Sequence, residues 1–227
     1  MQNSFKLIIK FGFFALSLAL TAQSWGSDAL CESNQTLVNA YIQKDLPSLT
    51  KEIQAQNLSN NQYAEIAYLS TIVALALNQK GTAKKFLADG IEKIEKENNG
   101  RAFALKSLLL GQRIRMKPYL GIFLGSTLEK HLHKAEDLLG SGALLNYTMG
   151  AYYHHTPKKF GGNTDNARHH YEEAFLNESA SSDCWVIAIS GVQLISVYLE
   201  LELFTNAKLL REKYNKRFPS NRWAPEI

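Results

Sequence analysis

Apolar residues recur at three- and four-residue spacing along most of the chain, and short polar or glycine-rich stretches interrupt them. This spacing is typical of amphipathic α-helices, and no stretch has a convincing strand pattern. The pattern predicts a lead segment at 33–56, broken near Pro47, followed by four helix pairs. The predicted pairs are 61–78 with 82–97, 101–116 with 126–139, 142–155 with 164–178, and 184–203 with 205–217.

Two of these pairs are related by an internal repeat. Residues 110–135 align without a gap on residues 149–174 at an offset of 39. The aligned positions include small and turn-forming residues: Gly111 with Gly150, Pro118 with Pro157, and Ala135 with Ala174. A fixed period of this length predicts units that cannot bury their apolar faces alone, so that neighbouring units must stack.

The sequence Met149-Gly150-x-x-Tyr153, followed by Ala167 and Ala174, resembles the tetratricopeptide repeat. The first helix of that repeat carries Leu-Gly-x-x-Tyr, and its second helix carries small residues seven positions apart. The resemblance covers roughly residues 60–219. It implies an all-α fold, a right-handed stack of antiparallel helix hairpins (a TPR-like α-solenoid), with about four pairs plus an N-terminal lead segment.

The first residues have the layout of a secretory signal peptide. Lys6 and Lys10 precede an apolar run from Phe11 to Ala22, and small residues follow. The run is shorter than the ~20 apolar residues that a membrane-spanning helix needs. We therefore expect cleavage near Ser24, bacterial export to the periplasm or secretion, and a mature chain that is not an integral membrane protein.

The domain organisation follows from the leader and the repeat. We predict a signal peptide at 1–24, a helical lead segment at 25–59 and a helical repeat domain at 60–227. The formal net charge of +4 falls by two when Lys6 and Lys10 leave with the signal peptide. A nearly neutral mature chain with scattered lysine pairs lacks the clustered basic surface that nucleic-acid binding requires, so no such partner is expected.

The stretch "AYYHHTPKKFGGNTDNARHHYEEAF" contains four of the six histidines of the chain: His154, His155, His169 and His170. Antiparallel packing would bring the two pairs together, and Zn²⁺ or Cu²⁺ would accept imidazole ligands there. Adjacent residues on a helix point about 100° apart, so only one histidine of each pair can face a given centre. Exposed or packing imidazoles are therefore the main expectation, and a metal site is the alternative. No catalytic motif is recognisable, so no enzyme activity is predicted.

The same stretch contains the signals of a turn. Pro157 is expected to end one helix, the pair Gly161-Gly162 permits positive φ, and a residue of 163–165 can cap the next helix. An anion site at that helix start, beside Lys158 or Lys159, is an alternative.

Two aligned stripes are expected to line an inner groove, because in tetratricopeptide repeats the first helix of each pair faces inwards. The stripes are Leu105, Leu108, Gln112 and Arg115 in one pair, and Leu144, Tyr147, Ala151 and His154 in the next. A groove that is apolar and ends in basic residues suits a protein or peptide partner, or a small carboxylate ligand. The alternative is that these residues pack against the neighbouring unit.

The extra connection "TPKKFGGN" is similar to exported repeat proteins such as the T component of TRAP transporters. That resemblance implies a periplasmic component that binds protein partners or small ligands. The chain has two cysteines, Cys31 and Cys184, which an oxidising periplasm would allow to pair. A bridge needs their Cα atoms within about 7 Å, so it requires a closed superhelix or a lead segment that folds back.

Overall fold

The computed structural model describes residues 35–55, 57–176 and 183–223. Within these residues the chain is all-α, without a β-strand, as the apolar spacing predicts. Its ten helices are α1 (Gln35–Ile42), α2 (Leu46–Ile53), α3 (Asn60–Ala76), α4 (Lys80–Ile94), α5 (Gly100–Met116), α6 (Gly121–Leu139), α7 (Ala143–His155), α8 (Thr164–Leu176), α9 (Cys184–Glu200) and α10 (Phe204–Arg217).

The lead segment is itself a helix pair, so the described residues contain five pairs rather than four pairs and a lead. Three of the pairs share one turn type, in which a residue with left-handed φ precedes the second helix: Lys44, Asn78 and Glu202. In each turn the next amide donates a hydrogen bond of 2.8 Å to the carbonyl oxygen five residues earlier. Pro47 lies in the first turn of α2, where its missing N–H costs no helical hydrogen bond.

The odd-numbered helices form an inner ring. Helix α3 packs on α5, α5 on α7 and α7 on α9, and α1 closes the ring because it contacts both α9 and α3. The C-terminal residues reinforce this closure: Trp223 stacks on Tyr41 with ring centroids 5.0 Å apart, and the Arg222 amide donates to the Ile42 carbonyl. The two ends of the repeat array therefore meet, and the inner faces of the helices pack against one another.

Aromatic side chains fill the centre of the ring. The hydroxyls of Tyr68 on α3 and Tyr147 on α7 are hydrogen-bonded at 2.6 Å, and the ring of Trp185 on α9 lies about 6 Å from both. All three side chains are fully buried. Burial is the main cause that raises the pKa of Tyr147 well above its usual range, because the phenolate would be desolvated.

The small residues of the repeat do not have the same role in each pair. A Cβ added to Gly150 would lie 2.6 Å from Cδ1 of the buried Tyr171, so only glycine lets α7 and α8 approach this closely. A Cβ added to Gly111 would lie 3.8 Å from Cδ1 of Leu128, which is an ordinary contact. Gly150 therefore permits close approach of the two helices of its pair, whereas Gly111 leaves spare room.

Candidate functional site

A cavity of about 640 Å³ lies between α5, α6 and α7, next to the two connections that follow α5 and α7. Most of its wall is apolar and comes from the ends of these helices: Leu108, Ile114, Ile122, Leu128, Ala151 and Phe160. A smaller set of polar side chains also faces the cavity: Tyr68, Gln112, Arg115, Glu129, Tyr152 and His155. A volume of this size is typical of pockets that bind small molecules, which range over about 300–1,000 Å³.

The pocket runs from a buried floor to an exposed rim. Tyr68, Leu108 and Gln112 at the floor are buried, whereas Ile122 and Phe160 at the rim are largely exposed. An apolar ligand could therefore enter at the rim and lose its contact with water along the length of the pocket, which is the main source of affinity for such ligands.

An early start of α6 builds one wall of the pocket. Helix α6 has 19 residues and α8 has 13, although the two helices are aligned by the repeat. The additional first turn carries Gly121, Ile122 and Gly125, and all three line the cavity. A Cβ added to Gly125 would meet no atom within 4 Å, so the wall there faces open volume.

The connection between α7 and α8 builds the opposite wall, as the turn signals of this stretch predict. Gly161 has φ +96°, and a Cβ on Gly162 would collide with the Thr156 carbonyl oxygen at 1.7 Å. Asn163 donates its amide to the Tyr153 carbonyl, and its side chain caps α8 by accepting from the Asn166 amide at 3.0 Å. These bonds hold Pro157 and Phe160 against the cavity.

Gln112 at the floor has an unused acceptor. The residue is only 5% exposed, and its Oε1 atom has no hydrogen-bond partner among the described residues. A buried polar atom without a partner costs about 1–3 kcal/mol, so it favours a ligand or a water molecule that donates to it. The Gln112 side chain also forms a hydrogen bond with Tyr68 in the wall of the cavity, so its amide is partly engaged inside the protein.

Arg115 supplies the positive charge of the pocket. No carboxylate lies within ion-pair distance of its guanidinium in the described part of the chain. The acidic residue of the wall, Glu129, accepts a hydrogen bond of 2.7 Å from the Tyr152 hydroxyl. Arg115 is thus available to pair with an anionic group on a ligand, and its planar fork suits a carboxylate.

His155 contributes a neutral imidazole. Its side chain lines the pocket and is exposed to water, although nearby protein atoms partly desolvate the ring. Burial disfavours the charged imidazolium, and the neighbouring His154 and Arg115 add to that effect, so the pKa of His155 falls to about 3. The ring is therefore uncharged at neutral pH and can donate or accept a hydrogen bond.

The structure separates the eight residues that sequence reasoning assigned to a partner-binding groove. Four of them line the pocket: Leu108, Gln112, Arg115 and Ala151. The other four are engaged inside the protein: Leu105, Leu144 and Tyr147 are buried in the core, and His154 Nε2 lies 2.8 Å from Glu200 Oε1. The closed ring explains this division, because it packs most of the inner stripes against neighbouring helices. It leaves open the C-terminal part of the α5 stripe and Ala151 of the α7 stripe.

Sequence reasoning missed the first turn of α6 and the pocket-facing role of His155. The prediction placed the start of this helix at 126, whereas it begins at Gly121. The stretch Gly121-Ile-Phe-Leu-Gly125 carries no polar capping residue, and Leu120 before it makes no side-chain cap bond, so no start signal was available. The prediction assigned the neighbouring His154 to the groove instead. Adjacent side chains on a helix point about 100° apart, so His154 and His155 face different surroundings.

The four histidines proposed as metal ligands have different neighbours. His154 and His155 stack on each other at 4.6 Å, His170 stacks on Tyr153 at 5.5 Å, and His169 is exposed. Among the described residues, no group of three or more histidine, cysteine or acidic side chains is placed to hold a metal ion. His170 and its repeat equivalent His131 both stack on aromatic rings, which supports a packing role.

Two predictions involve residues outside the described ranges. The predicted signal peptide at 1–24 and Cys31 both lie there, so both predictions remain untested. Cys184 is buried at the start of α9, and α1 packs on that helix. The lead segment thus folds back onto the last helix pair, which is the condition that a Cys31–Cys184 bridge requires.

The helices of the described ranges are all too short or too polar to span a bilayer. The likeness to tetratricopeptide repeats and to the TRAP T component remains a sequence-based expectation. No family model matches this chain, and no match is found among curated proteins or solved structures.

Proposed function

We propose that this protein is exported and binds a small, mostly apolar ligand with an anionic group in the pocket between α5, α6 and α7. The observation that carries the proposal is the apolar cavity of about 640 Å³ with Arg115 in its lining. Of the two functions considered from sequence, this favours the small-ligand accessory protein over the peptide-binding scaffold. The burial of Leu105, Leu144 and Tyr147 removes three of the eight side chains that a peptide groove would have used.

The arrangement of charge and apolar surface indicates the class of ligand. Arg115 would pair with a carboxylate, and the leucine, isoleucine and phenylalanine side chains of the wall would contact an alkyl chain. The neutral His155 would add a hydrogen bond to the ligand. A medium-chain fatty acid or another acyl carboxylate combines these features.

A fluorescence titration tests the proposal. The mature chain, residues 25–227, is titrated with dansyl-undecanoic acid, and decanoate is used as an unlabelled competitor. We expect saturable binding at one site per chain and weaker competition by decanol than by decanoate. Replacement of Arg115→Gln should weaken carboxylate binding about tenfold, which corresponds to ~1.4 kcal/mol.

A pocket-filling variant supplies the structural test. Gly125→Phe places a ring in the open volume of the cavity and removes a glycine from the interior of α6, so we expect it to fold and to lose binding. Gly81→Phe is the matched control, because a Cβ on Gly81 also meets no atom within 4 Å but lies outside the pocket. Absence of binding by the wild-type chain, or equal binding by Gly125→Phe and Gly81→Phe, would refute the proposal.

A further inference from the structure

The rim of the pocket contains the most exposed large apolar side chains of the described residues. Ile122 is 83% exposed, Phe123 70%, Tyr119 62% and Phe160 61%. Large apolar side chains grouped at one place on a surface mark a site of contact with another molecule, whereas single ones are ordinary. The first three belong to the turn after α5 and the start of α6, and Phe160 belongs to the connection between α7 and α8. Ile122 and Phe160 line the cavity, and Tyr119 and Phe123 are close to Ile122 in sequence.

The same two segments are basic. Residues 113–128 contain Arg113, Arg115 and Lys117, and residues 157–162 contain Lys158 and Lys159, without an acidic residue in either range. Lys159 Nζ lies 4.8 Å from the centroid of the Phe160 ring, so the ammonium group lies over the face of this exposed ring. The rim therefore combines an apolar centre with a positive border.

This combination matches a lipid bilayer better than a protein partner. Protein interfaces are depleted in lysine, whereas peripheral membrane-binding surfaces place aromatic and aliphatic side chains below a border of lysine and arginine. Aromatic rings lie favourably at the headgroup level, and the basic border attracts anionic lipids. Pro118 and Pro157 stand at the start of the two rim turns, where their fixed φ restricts the backbone that presents these side chains.

We propose that this rim docks on the surface of an anionic lipid bilayer, with Tyr119, Ile122, Phe123 and Phe160 entering the headgroup region. Docking would place the opening of the pocket against the acyl chains, so that an apolar ligand passes between membrane and pocket without crossing water. The docking surface shares Ile122 and Phe160 with the pocket and extends beyond it, because Tyr119, Phe123, Lys158 and Lys159 do not line the cavity.

Vesicle co-sedimentation tests the docking proposal. The mature chain, residues 25–227, is mixed with vesicles of phosphatidylcholine alone or of phosphatidylcholine and phosphatidylglycerol in equal parts. We expect binding to the anionic vesicles, weaker binding to the neutral ones, and loss of binding as salt is added, since salt screens the lysine charges. Failure of the wild-type chain to bind anionic vesicles would overturn the proposal, and a protein partner would then be the remaining occupant of the rim.

Two double variants test the surface, each with a matched control. Tyr119→Ser with Phe123→Ser should lower partitioning about tenfold, whereas Phe204→Ser with Leu209→Ser on α10 should leave it unchanged, although those side chains are also exposed. Lys158→Glu with Lys159→Glu should lower it about tenfold, whereas Lys84→Glu with Lys85→Glu on α4 should not. Equal losses in a rim variant and its control would show that the rim is not the docking surface.

The docking test can fail or succeed independently of the pocket. Tyr119→Ser with Phe123→Ser should still bind dansyl-undecanoic acid in solution, because these residues do not line the cavity. Conversely, Gly125→Phe should still sediment with anionic vesicles. Loss of both readouts in both variants would contradict a separate docking surface.

Discussion

The α5–α6 hairpin and the α7–α8 hairpin are aligned copies at an offset of 39, yet a pocket lies beside the loose interface between α5 and α6, whereas α7 and α8 pack closely on each other. In the α7–α8 hairpin Gly150 packs on the ring of Tyr171, and the interface has no spare room. In the α5–α6 hairpin the equivalent positions are Gly111 and Leu132, and a side chain at Gly111 would meet only Leu128 at an ordinary distance. The helix that begins early, α6, then extends this looser hairpin past the end of α5.

This difference shows that two aligned helix hairpins can differ in packing without a change of fold. The α7–α8 hairpin buries three large aromatic side chains, Tyr147, Tyr171 and Phe175. The α5–α6 hairpin gives up part of that packing and leaves a cavity lined by Leu108, Gln112 and Arg115. An unfilled apolar cavity lowers stability, so the open hairpin is expected to be the less stable copy unless a ligand occupies it.

The sharpest test of this comparison replaces the two aligned glycines by alanine. Gly150→Ala forces a methyl group against Tyr171, so we expect the free energy of unfolding to fall by about 1–3 kcal/mol despite the better helix propensity of alanine. Gly111→Ala has room for the methyl group and should raise the free energy of unfolding by about 0.5–1 kcal/mol. Urea denaturation measures both. Changes of the same sign in the two variants would show that the hairpins do not differ in packing.

A second pair of substitutions tests the aromatic centre of the closed hairpin. Tyr147→Phe removes the 2.6 Å hydrogen bond to Tyr68 and so deprives the buried Tyr68 hydroxyl of this partner. The free energy of unfolding should therefore fall by about 1–2 kcal/mol. Tyr171→Phe removes a buried hydroxyl that has no partner among the described residues, so it should be neutral or stabilising by up to about 1 kcal/mol. Thermal and urea unfolding distinguish the two variants. A larger loss for Tyr171→Phe than for Tyr147→Phe would contradict this assignment.

Most of the fold could be predicted from local pattern. Nine of the ten helices begin within about two residues of the expected position or lie inside the predicted lead segment, because apolar spacing and turn residues are local signals. Ring closure could not be predicted in this way, since it depends on contact between α1 and α9, which are far apart in sequence. The offset of 39 identified Gln112 and Arg115, but it could not show that Leu105 would be sealed by a neighbouring helix.

The pocket itself depends on structural details that sequence patterns do not reveal. The first turn of α6 forms without a side-chain cap, and no single-sequence rule detects such a helix start. The choice of His155 rather than His154 as the pocket residue depends on a rotation of about 100°, which is smaller than the error of a predicted helix register.

The smallest expected effect concerns His155, which occupies the position of Met116 in the open hairpin. Burial lowers its pKa to about 3, compared with about 6.5 in an unfolded chain, so the folded state disfavours the imidazolium. This group therefore stabilises the protein above about pH 6.5, and its contribution is lost as the pH falls from 6.5 towards 3.

His155→Met introduces the residue that the open hairpin has at this position and removes this titration. We expect the free energy of unfolding to decline less between pH 7 and pH 5 in the variant than in the wild type. One fully desolvated proton site would contribute ~1.4 kcal/mol per pH unit to this difference. The difference should be well below that value, because water in the pocket screens the charge. Urea denaturation at a series of pH values measures the difference, and parallel curves would show that His155 does not sit in the environment described.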